Sequence, residues 1–174
     1  MRRHLPHLYV LGRPLFVTFR LHGTLPTGRS FAREAVTLGE AFVCVDRLLD
    51  RAVVGPRYLE MPEVAEVAAC AIQDGRKDYD LHTWVVMPNH VHVLITPWTD
   101  VSNVMRRIKG STAREANRQL HQVGRPFWQH ESYDRLVRDG QEFRRIERYI
   151  LLNPVRAGLA PRPELYRWSS AWAG

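Results

Sequence analysis

Two histidines separated by one valine are the residues of this chain best placed to do chemistry. His90 and His92 lie in a segment rich in β-branched residues, which is typical of a strand. Because side chains alternate between the two faces of a strand, both imidazoles project from one face, roughly 7 Å apart at the backbone. Val91, Val93 and Ile95 then point to the opposite face and into the core. The pattern predicts either a divalent-metal site or two histidines that line a half-buried surface.

A tyrosine and an asparagine four residues apart form the second feature of interest. Apolar residues recur around them at three- and four-residue steps, as in an amphipathic helix: Phe143, Ile146 and Ile150. Pro154 disfavours helical geometry at the residue before it, so we expect the helix to end near Asn153. Tyr149 and Asn153 then share one helical face. A phenol is a possible nucleophile and an amide oxygen suits Mg²⁺ or Mn²⁺, although a core tyrosine and a helix-terminating asparagine are the simpler alternative.

Together the two segments resemble the REP-associated tyrosine transposases, a branch of the HUH single-strand endonucleases (histidine, hydrophobic residue, histidine). The two long matching stretches are VMPNHVHVL at 86–94 and YILLNPVRAGL at 149–159, and shorter matches are FVTFRL at 16–21, RPFWQ at 125–129 and VRD at 137–139. The similarity runs from about residue 5 to the C-terminus. Leu151 stands where many relatives carry histidine, so any accessory role of that histidine is absent here.

The resemblance implies a reaction and a set of residues for it. One Mg²⁺ or Mn²⁺ would be held by His90, His92 and the side-chain oxygen of Asn153, and Tyr149 would attack the scissile phosphate. The product would be a covalent 5′-phosphotyrosine with a free 3′-OH, so that single-stranded, hairpin or REP-like DNA is cleaved and rejoined. Tyr133 is the alternative nucleophile, but it is predicted on a strand and no ligand lies four residues beyond it.

The remaining periodicities predict elements that could bring these residues together. They are a strand at 13–21, a helix from about residue 30 to 53, a shorter helix from 61 to near 75, strands at 81–87 and 90–96, a helix capped by Asp100 or Ser102, a strand at 133–138, and the helix of Tyr149. This is an α+β, ferredoxin-like order with one extra C-terminal helix. We expect that helix to pack across the open sheet face, above the two histidines. The chain is then one domain over 1–174, with a basic N-terminal arm at 1–12 and a C-terminal tail at 160–174.

The charge of the chain fits a nucleic-acid partner. Basic residues outnumber acidic ones 25 to 18, which gives a net charge of +7 and a pI near 10.0. Two basic groups are candidates for DNA contact: Arg144, Arg145 and Arg148 beside the tyrosine, and Arg106, Arg107, Lys109 and Arg114 on the preceding helix. The second group is equally typical of a solvated helix face.

The cysteines and the hydropathy of the chain predict a cytoplasmic location. Cys44 and Cys70 lie in apolar helical runs without a CxxC spacing, which predicts buried free thiols in a reducing environment. No apolar run is long enough to span a bilayer and no signal-peptide core is present, so we expect a cytoplasmic protein without membrane contact. The sequence leaves open whether the protein is a monomer or a homodimer.

Two other functions remain possible from the sequence. One is a non-catalytic nucleic-acid-binding module on the same ferredoxin-like scaffold, which would need neither the histidine pair nor Tyr149. The other is a metallohydrolase that uses water as its nucleophile. Such an enzyme favours a carboxylate near the metal, and none adjoins either motif: Glu147, two residues before Tyr149, is expected on the other side of the helix.

Overall fold

A four-stranded antiparallel sheet forms the centre of the fold in the computed structural model, which describes residues 10–24, 49–50 and 55–174. Its strands are β1 (Leu15–Arg20), β2 (Tyr79–Val86), β3 (His90–Pro97) and β4 (Tyr133–Leu136). They are arranged in the order β2-β3-β1-β4, and each neighbouring pair is antiparallel. This is the ferredoxin-like order, so the predicted fold class is confirmed.

Three α-helices accompany the sheet in the described part of the chain. They are α1 (Pro62–Asp74), α2 (Val101–Gln119) and α3 (Gly140–Arg156), with 3₁₀ turns at Tyr58–Glu60, Gly75–Lys77 and Pro163–Leu165. Asp100 caps α2 by accepting a hydrogen bond from the Asn103 N–H at 2.9 Å. Of the two predicted caps, Asp100 and Ser102, it is therefore Asp100 that caps the helix. The predicted helix from residue 30 to 53 lies outside the described residues except for Leu49 and Asp50, which are helical.

The two faces of the sheet carry separate apolar cores. One face packs against α1 and α2, and its buried residues include Val17, Phe19, Val91, Val93 and Ile95. The other face packs against α3 through a smaller cluster, which includes Phe16, Val85, Leu94, Ile146 and Ile150. Successive side chains of β1 and β3 therefore point alternately into one core and into the other. The expectation that the last helix covers the face opposite α1 and α2 is confirmed.

The expected end of the last helix near Asn153 is wrong, because α3 continues through Pro154 to Arg156. Proline lacks the N–H that would donate to the carbonyl of Ile150, and it normally pushes the preceding residue out of helical geometry. Here Ile150, Asn153 and Pro154 are all buried, and the Ala157 N–H closes the last turn on the Asn153 carbonyl at 3.0 Å. Tertiary packing therefore outweighs the local preference of the proline.

The C-terminal segment at 160–174 runs along the outer edge of β2. The Val86 N–H donates to the Trp168 carbonyl at 2.8 Å, and the Ser170 N–H donates to the Trp84 carbonyl at 3.0 Å. These bonds use backbone groups that an edge strand otherwise leaves exposed. The predicted tail is thus part of the sheet layer and protects its edge.

Cys70 lies on the exposed side of α1, so the prediction of a buried thiol is wrong for this residue. The buried side of the helix is already occupied by Val64, Ala65, Ala68, Ala69 and Ile72. Cys44 lies outside the described residues. Within the described ranges, no helix combines the length and the apolar character needed to cross a membrane.

A buried carboxylate anchors the start of α3. Glu142 is only 3% exposed and accepts hydrogen bonds from the Arg135 guanidinium at 2.5 Å and from the backbone N–H of Arg138 at 2.8 Å. Asp139 caps the helix by accepting from the Glu142 N–H at 2.8 Å. Burial opposes ionisation of Glu142, but the hydrogen bonds from Arg138 and Arg135 outweigh it and lower the pKa to about 2. The anchor joins α3 to β4 through Arg135.

We predict that Glu142→Gln lowers the free energy of unfolding at pH 7 by about 2 kcal/mol, because it removes charge-assisted hydrogen bonds from a buried site. The native pKa of about 2 lies below the ordinary value of 4.5, so the wild-type advantage is present above pH 4.5 and is lost as the pH falls toward 2. Urea unfolding of both proteins at neutral and acidic pH measures the difference. Glu115→Gln, which removes an exposed pair with Arg118, is the control and should change little. A Glu142→Gln deficit that does not depend on pH would contradict the prediction.

Candidate active site

The two histidines of β3 meet at a single point beneath α3. Their Nε2 atoms are 3.1 Å apart, and both rings are fully buried at 0% exposure. In the antiparallel register, His92 lies opposite Thr18 and His90 lies opposite Arg20 of β1. The pairing of β1 with β3 therefore fixes which side chains surround the imidazoles.

A hydrogen-bond partner holds the outer nitrogen of each imidazole. Asn89 donates from Nδ2 to the Leu49 carbonyl at 2.9 Å, which leaves its Oδ1 facing His90 Nδ1 at 2.7 Å. His90 Nδ1 is therefore the donor, and its Nε2 carries a lone pair. Thr18 Oγ1 lies 2.7 Å from His92 Nδ1 and can accept a hydrogen bond in the same way. Partners of this kind orient metal-binding histidines and fix their tautomer.

Asn153 reaches the same point from α3. Its Nδ2 lies 3.2 Å from His92 Nε2, and the residue is 1% exposed. The amide thus presents its positive end to the imidazole nitrogens. Rotation of the amide by a half turn would present Oδ1 instead, at the same place. The three side chains that the sequence predicts as ligands are therefore brought together.

Their spacing fits a divalent ion. Neighbouring ligands on an ion with bonds of about 2.1 Å are about 3 Å apart, and the two measured separations are 3.1 Å and 3.2 Å. Two imidazole nitrogens and one amide oxygen also suit Mn²⁺ or Mg²⁺ chemically. Among the residues that the structure describes, no three His, Cys, Asp or Glu side chains form a metal-binding group. Asn153 is accordingly the side chain that would complete a three-ligand set with the two histidines.

Tyr149 lies one helical turn before Asn153 and borders the histidines. Its ring centroid is 5.9 Å from that of His92 and 6.4 Å from that of Phe16, in both cases edge to face. The guanidinium of Arg156 lies over the phenol ring, 5.0 Å from its centroid. The contact is a cation–π interaction, in which the positive charge is attracted to the face of the ring.

Arg156 is a residue of this site that is not among the predicted site residues. The signal was present, because residues 149, 153 and 156 are spaced by four and three and therefore share one helical face. This spacing did not lead to a prediction for Arg156, because the helix was expected to end at Asn153. The extra turn of α3 places Arg156 on the face of Tyr149.

A carboxylate also approaches the histidines, although neither motif contains one. Asp50 Oδ1 lies 4.0 Å from His90 Nε2, and its side chain is 15% exposed. No sequence signal connects Asp50 with a histidine forty residues later. Glu147, in contrast, lies against β2, where it accepts a hydrogen bond from Thr83 Oγ1 at 3.4 Å.

Tyr133, the alternative nucleophile, lies on β4 as predicted and is paired with Thr18 of β1. Its ring packs edge to face against Phe16, 6.3 Å between centroids, so both tyrosines border the same phenylalanine. Burial raises the pKa of the Tyr133 phenol. Tyr149 is the tyrosine on the helix that carries Asn153.

The predicted basic residues divide between the two sides of the sheet. Arg144, Arg145 and Arg148 are exposed on α3, the helix that covers the histidines. Arg106, Arg107, Lys109 and Arg114 belong to α2, which packs on the opposite face. In that group Arg107 pairs with Asp78.

Lys109 is held by protein partners at the rim of the sheet. Its ammonium donates to the His130 carbonyl and to Ser132 Oγ, each at 3.0 Å. Burial, with a smaller contribution from the positive charge of Arg20, lowers its pKa to about 8. Lys109 is therefore less available for a phosphate than the α3 arginines.

The sequence model of the family described as Transposase IS200 like matches residues 62–153, which is more than half of the chain and contains the histidine pair, Tyr149 and Asn153. The chain belongs to the IS200-like transposase family. A REP-associated tyrosine transposase of Escherichia coli (strain K12) is 29% identical over 89 residues, or 47% of this chain. The chain spans about half the length of this relative, 48%.

The fold is also that of a solved transposase structure. The structure of a REP-associated tyrosine transposase bound to a REP hairpin superposes with a TM-score of 0.64 and 19% identity, covering 97% of this chain and 82% of the other. The alignment supports the shared architecture. The resemblance inferred from the two motifs is confirmed.

We predict that in metal-free protein the neutral His90 imidazole carries its proton on Nδ1, favoured about tenfold by the hydrogen bond to Asn89. Long-range ¹⁵N–¹H correlation spectra of histidine-labelled protein in EDTA distinguish the two tautomers. Asn89→Ala should remove this preference, while His82, which bonds to Thr96 through Nε2, serves as the unchanged control. An Nε2-protonated His90 in the wild-type protein would show that Asn89 does not orient the ring.

Proposed function

We propose that this IS200-like transposase is a metal-dependent tyrosine nuclease that cleaves and rejoins single-stranded hairpin DNA through a covalent 5′-phosphotyrosine. One observation carries the proposal: Tyr149 and Asn153, one turn apart on α3, lie against the buried pair His90 and His92. A module that only binds nucleic acid needs no nucleophile beside a set of potential metal ligands. The arrangement therefore supports a role as a reaction centre.

His90, His92 and Asn153 are the residues that would hold Mg²⁺ or Mn²⁺. The bound ion would polarise the scissile phosphate and offset charge that develops in the transition state. Asn89 and Thr18 would keep the imidazoles in the orientation that such binding requires. Three protein ligands leave coordination positions for a phosphate oxygen and water.

In the proposed step, the phenol oxygen of Tyr149 forms a bond to phosphorus while the bond between phosphorus and the 3′ oxygen breaks. The phenol proton is lost to solvent, and the leaving 3′ oxygen takes up a proton to become a 3′-OH. A free tyrosine has a pKa near 10, so the phenol loses its proton as it attacks. Because one phosphodiester is exchanged for another, attack by a second 3′-OH rejoins the strand without an external energy source.

Hairpin DNA is the substrate that the relatives support. The solved relative is bound to a REP hairpin, and this chain carries a net charge of +7. Arg144, Arg145 and Arg148 extend along the exposed side of the helix that carries Tyr149. Their charges would hold the phosphate backbone in a fixed relation to the nucleophile.

One observation favours a second candidate, a metallohydrolase with water as nucleophile. Asp50 lies near His90 and could assist a metal-bound water. This enzyme would cleave DNA without a protein adduct, and Tyr149 would be dispensable. The two candidates are therefore distinguished by whether the cleaved DNA strand stays covalently attached to the protein.

We predict that Tyr149→Phe abolishes the covalent adduct and lowers cleavage by at least about 10³-fold, because it removes the nucleophile. The assay uses labelled single-stranded hairpin DNA with Mn²⁺, resolved on a denaturing protein gel. Tyr133→Phe is the matched control, since that phenol borders the same Phe16, and it should retain the adduct.

Three other results would contradict the proposal. Cleavage that survives Tyr149→Phe would indicate water as the nucleophile. An adduct lost in Tyr133→Phe and retained in Tyr149→Phe would move the nucleophile to β4. Binding of several hairpins by the wild-type protein with no adduct at all would indicate a binding module.

We also predict that Arg144→Ala and Arg148→Ala each reduce the salt dependence of hairpin binding, with the log–log slope falling by about 0.7 for each lost phosphate contact on a single strand. Fluorescence anisotropy over a range of KCl concentrations, in the Tyr149→Phe background, measures the slope. Arg114→Ala on α2 is the control and should leave the slope unchanged. An equal reduction for Arg114→Ala would mean that DNA contacts both sides of the sheet.

A further inference from the structure

We infer that Arg156 is a further catalytic residue, whose guanidinium binds the non-bridging oxygens of the scissile phosphate and stabilises the transition state. The inference deepens the proposed function and rests on it, because Tyr149 is the proposed nucleophile. Arg156 keeps its positive charge throughout the reaction, so it neither gives nor takes a proton. Its role is to hold the phosphate where the phenol oxygen can reach phosphorus.

The geometry of α3 brings Arg156 to the proposed nucleophile. Tyr149, Asn153 and Arg156 are spaced by four and three residues and therefore share one helical face. The guanidinium lies 5.0 Å from the centroid of the Tyr149 ring, and the Asn153 amide lies against His92. The proposed nucleophile, a proposed metal ligand and a cation thus lie on one face of a single helix.

The residues after Arg156 fix the turn that carries it. The Gly158 N–H donates to the Val155 carbonyl at 3.1 Å, and the Leu159 N–H donates to the Pro154 carbonyl at 2.9 Å. Gly158 has a φ of 72°, the left-handed geometry that this kind of helix end requires and that glycine adopts without strain. These bonds close α3 immediately after Arg156, so the backbone of this arginine is held in place by the fold.

The positive charge of Arg156 is available to a ligand. Its side chain is exposed, and it forms no ion pair with a carboxylate among the residues that the structure describes. In contrast, Arg138 and Arg145, at the start of the same helix, both pair with Glu142. An arginine in a last turn also interacts favourably with the helix dipole, which is a structural role that needs no substrate.

One phosphate group fits between the phenol oxygen and the guanidinium. An attacking oxygen stands about 3–3.5 Å from the atom that it attacks, and an arginine donates to a phosphate oxygen at about 2.8 Å. A guanidinium over the ring, 5.0 Å from its centroid, is within this reach of a phosphate that the phenol oxygen approaches. The planar guanidinium can also donate two parallel hydrogen bonds to two oxygens of one phosphate.

A cation at this position places charge where the reaction develops it. While the Tyr149 oxygen forms its bond to phosphorus, negative charge is spread over the non-bridging oxygens. Arg156 acts on these oxygens from the side of α3, in addition to any ion that the histidines hold. Because the guanidinium is in place before the reaction, its effect requires little reorganisation.

The test combines a change in the charge of Arg156 with a change in the charge of the phosphate. Arg156→Gln and Arg156→Lys are compared with the wild type on the labelled hairpin, and on the same hairpin with a neutral methylphosphonate at the cleaved bond. On the phosphodiester, Arg156→Gln should slow adduct formation by at least about 10²-fold. Arg156→Lys should slow it by a smaller factor, because lysine keeps the charge but not the planar fork.

On the methylphosphonate, both variants should react at nearly the wild-type rate, since the charge that Arg156 offsets is absent. Arg118→Gln is the control and should change neither rate, because Arg118 is exposed on α2 and pairs with Glu115. Unfolding temperatures establish that each variant is folded.

A structural role for Arg156 gives a different result. If this arginine only stabilises the end of α3 or only packs on Tyr149, Arg156→Gln slows the reaction of both hairpins by the same factor. That result would overturn the inference and leave the proposed nuclease standing. If the wild-type protein forms no adduct with the phosphodiester, the proposed function and the inference both fall.

Binding provides a second measurement that needs no turnover of the methylphosphonate. It uses the Tyr149→Phe background, which keeps the aromatic ring under Arg156, and fluorescence anisotropy of both hairpins. Arg156→Gln should raise the Kd of the phosphodiester hairpin by about tenfold and leave the Kd of the methylphosphonate hairpin unchanged. Equal changes for the two hairpins, or no change for either, would show that Arg156 does not bind this phosphate.

Discussion

The apolar packing of α3 against the sheet is the interaction on which the site depends. Ile146 and Ile150 are buried against Phe16, Val85 and Leu94, on the face that α1 and α2 leave uncovered. This contact fixes both the rotation of the helix and its distance from β3. Tyr149 and Asn153 meet the histidines only because the apolar stripe of α3 lies beside them at helical spacing. A helix rotated away from this packing would turn the phenol and the amide away from the imidazoles together.

Burial of two imidazoles imposes the second constraint. A buried polar nitrogen without a partner is costly, so each ring needs a hydrogen bond on the outer nitrogen and a positive group on the inner one. Asn89 and Thr18 meet the first need, and the Asn153 amide meets the second at His92. The network that makes the pair compatible with the core is the same network that would orient it toward a cation. Stability of the fold and readiness of the site therefore have a common physical origin.

Periodicity predicted the fold and the central residues because both depend on local patterns. The alternation in β3 and the apolar stripe of α3 permitted an approach of Asn153 to His92, and the family resemblance implied it. Arg156 was missed because burial of Pro154 extends the helix against a local preference. Thr18 and Asp50 could not be predicted, since the first depends on strand register and the second on a contact across forty residues. Residue patterns within one helix or strand can be recognised in the sequence. Contacts between residues of different elements depend on how those elements pack together.

A single helix combines three parts of the proposed reaction. From Arg144 to Arg156, α3 carries the arginines proposed to hold the phosphate backbone, the proposed nucleophile and a proposed metal ligand, over about 18 Å at 1.5 Å per residue. Glu142 ties its first turn to β4, and Asn153 and Pro154 are buried in its last turn. In the proposed reaction, the distance between a bound phosphate and the attacking oxygen would thus be set by helix geometry and not by a loop. Accurate placement of this kind contributes to catalysis, because the reacting groups need little further ordering.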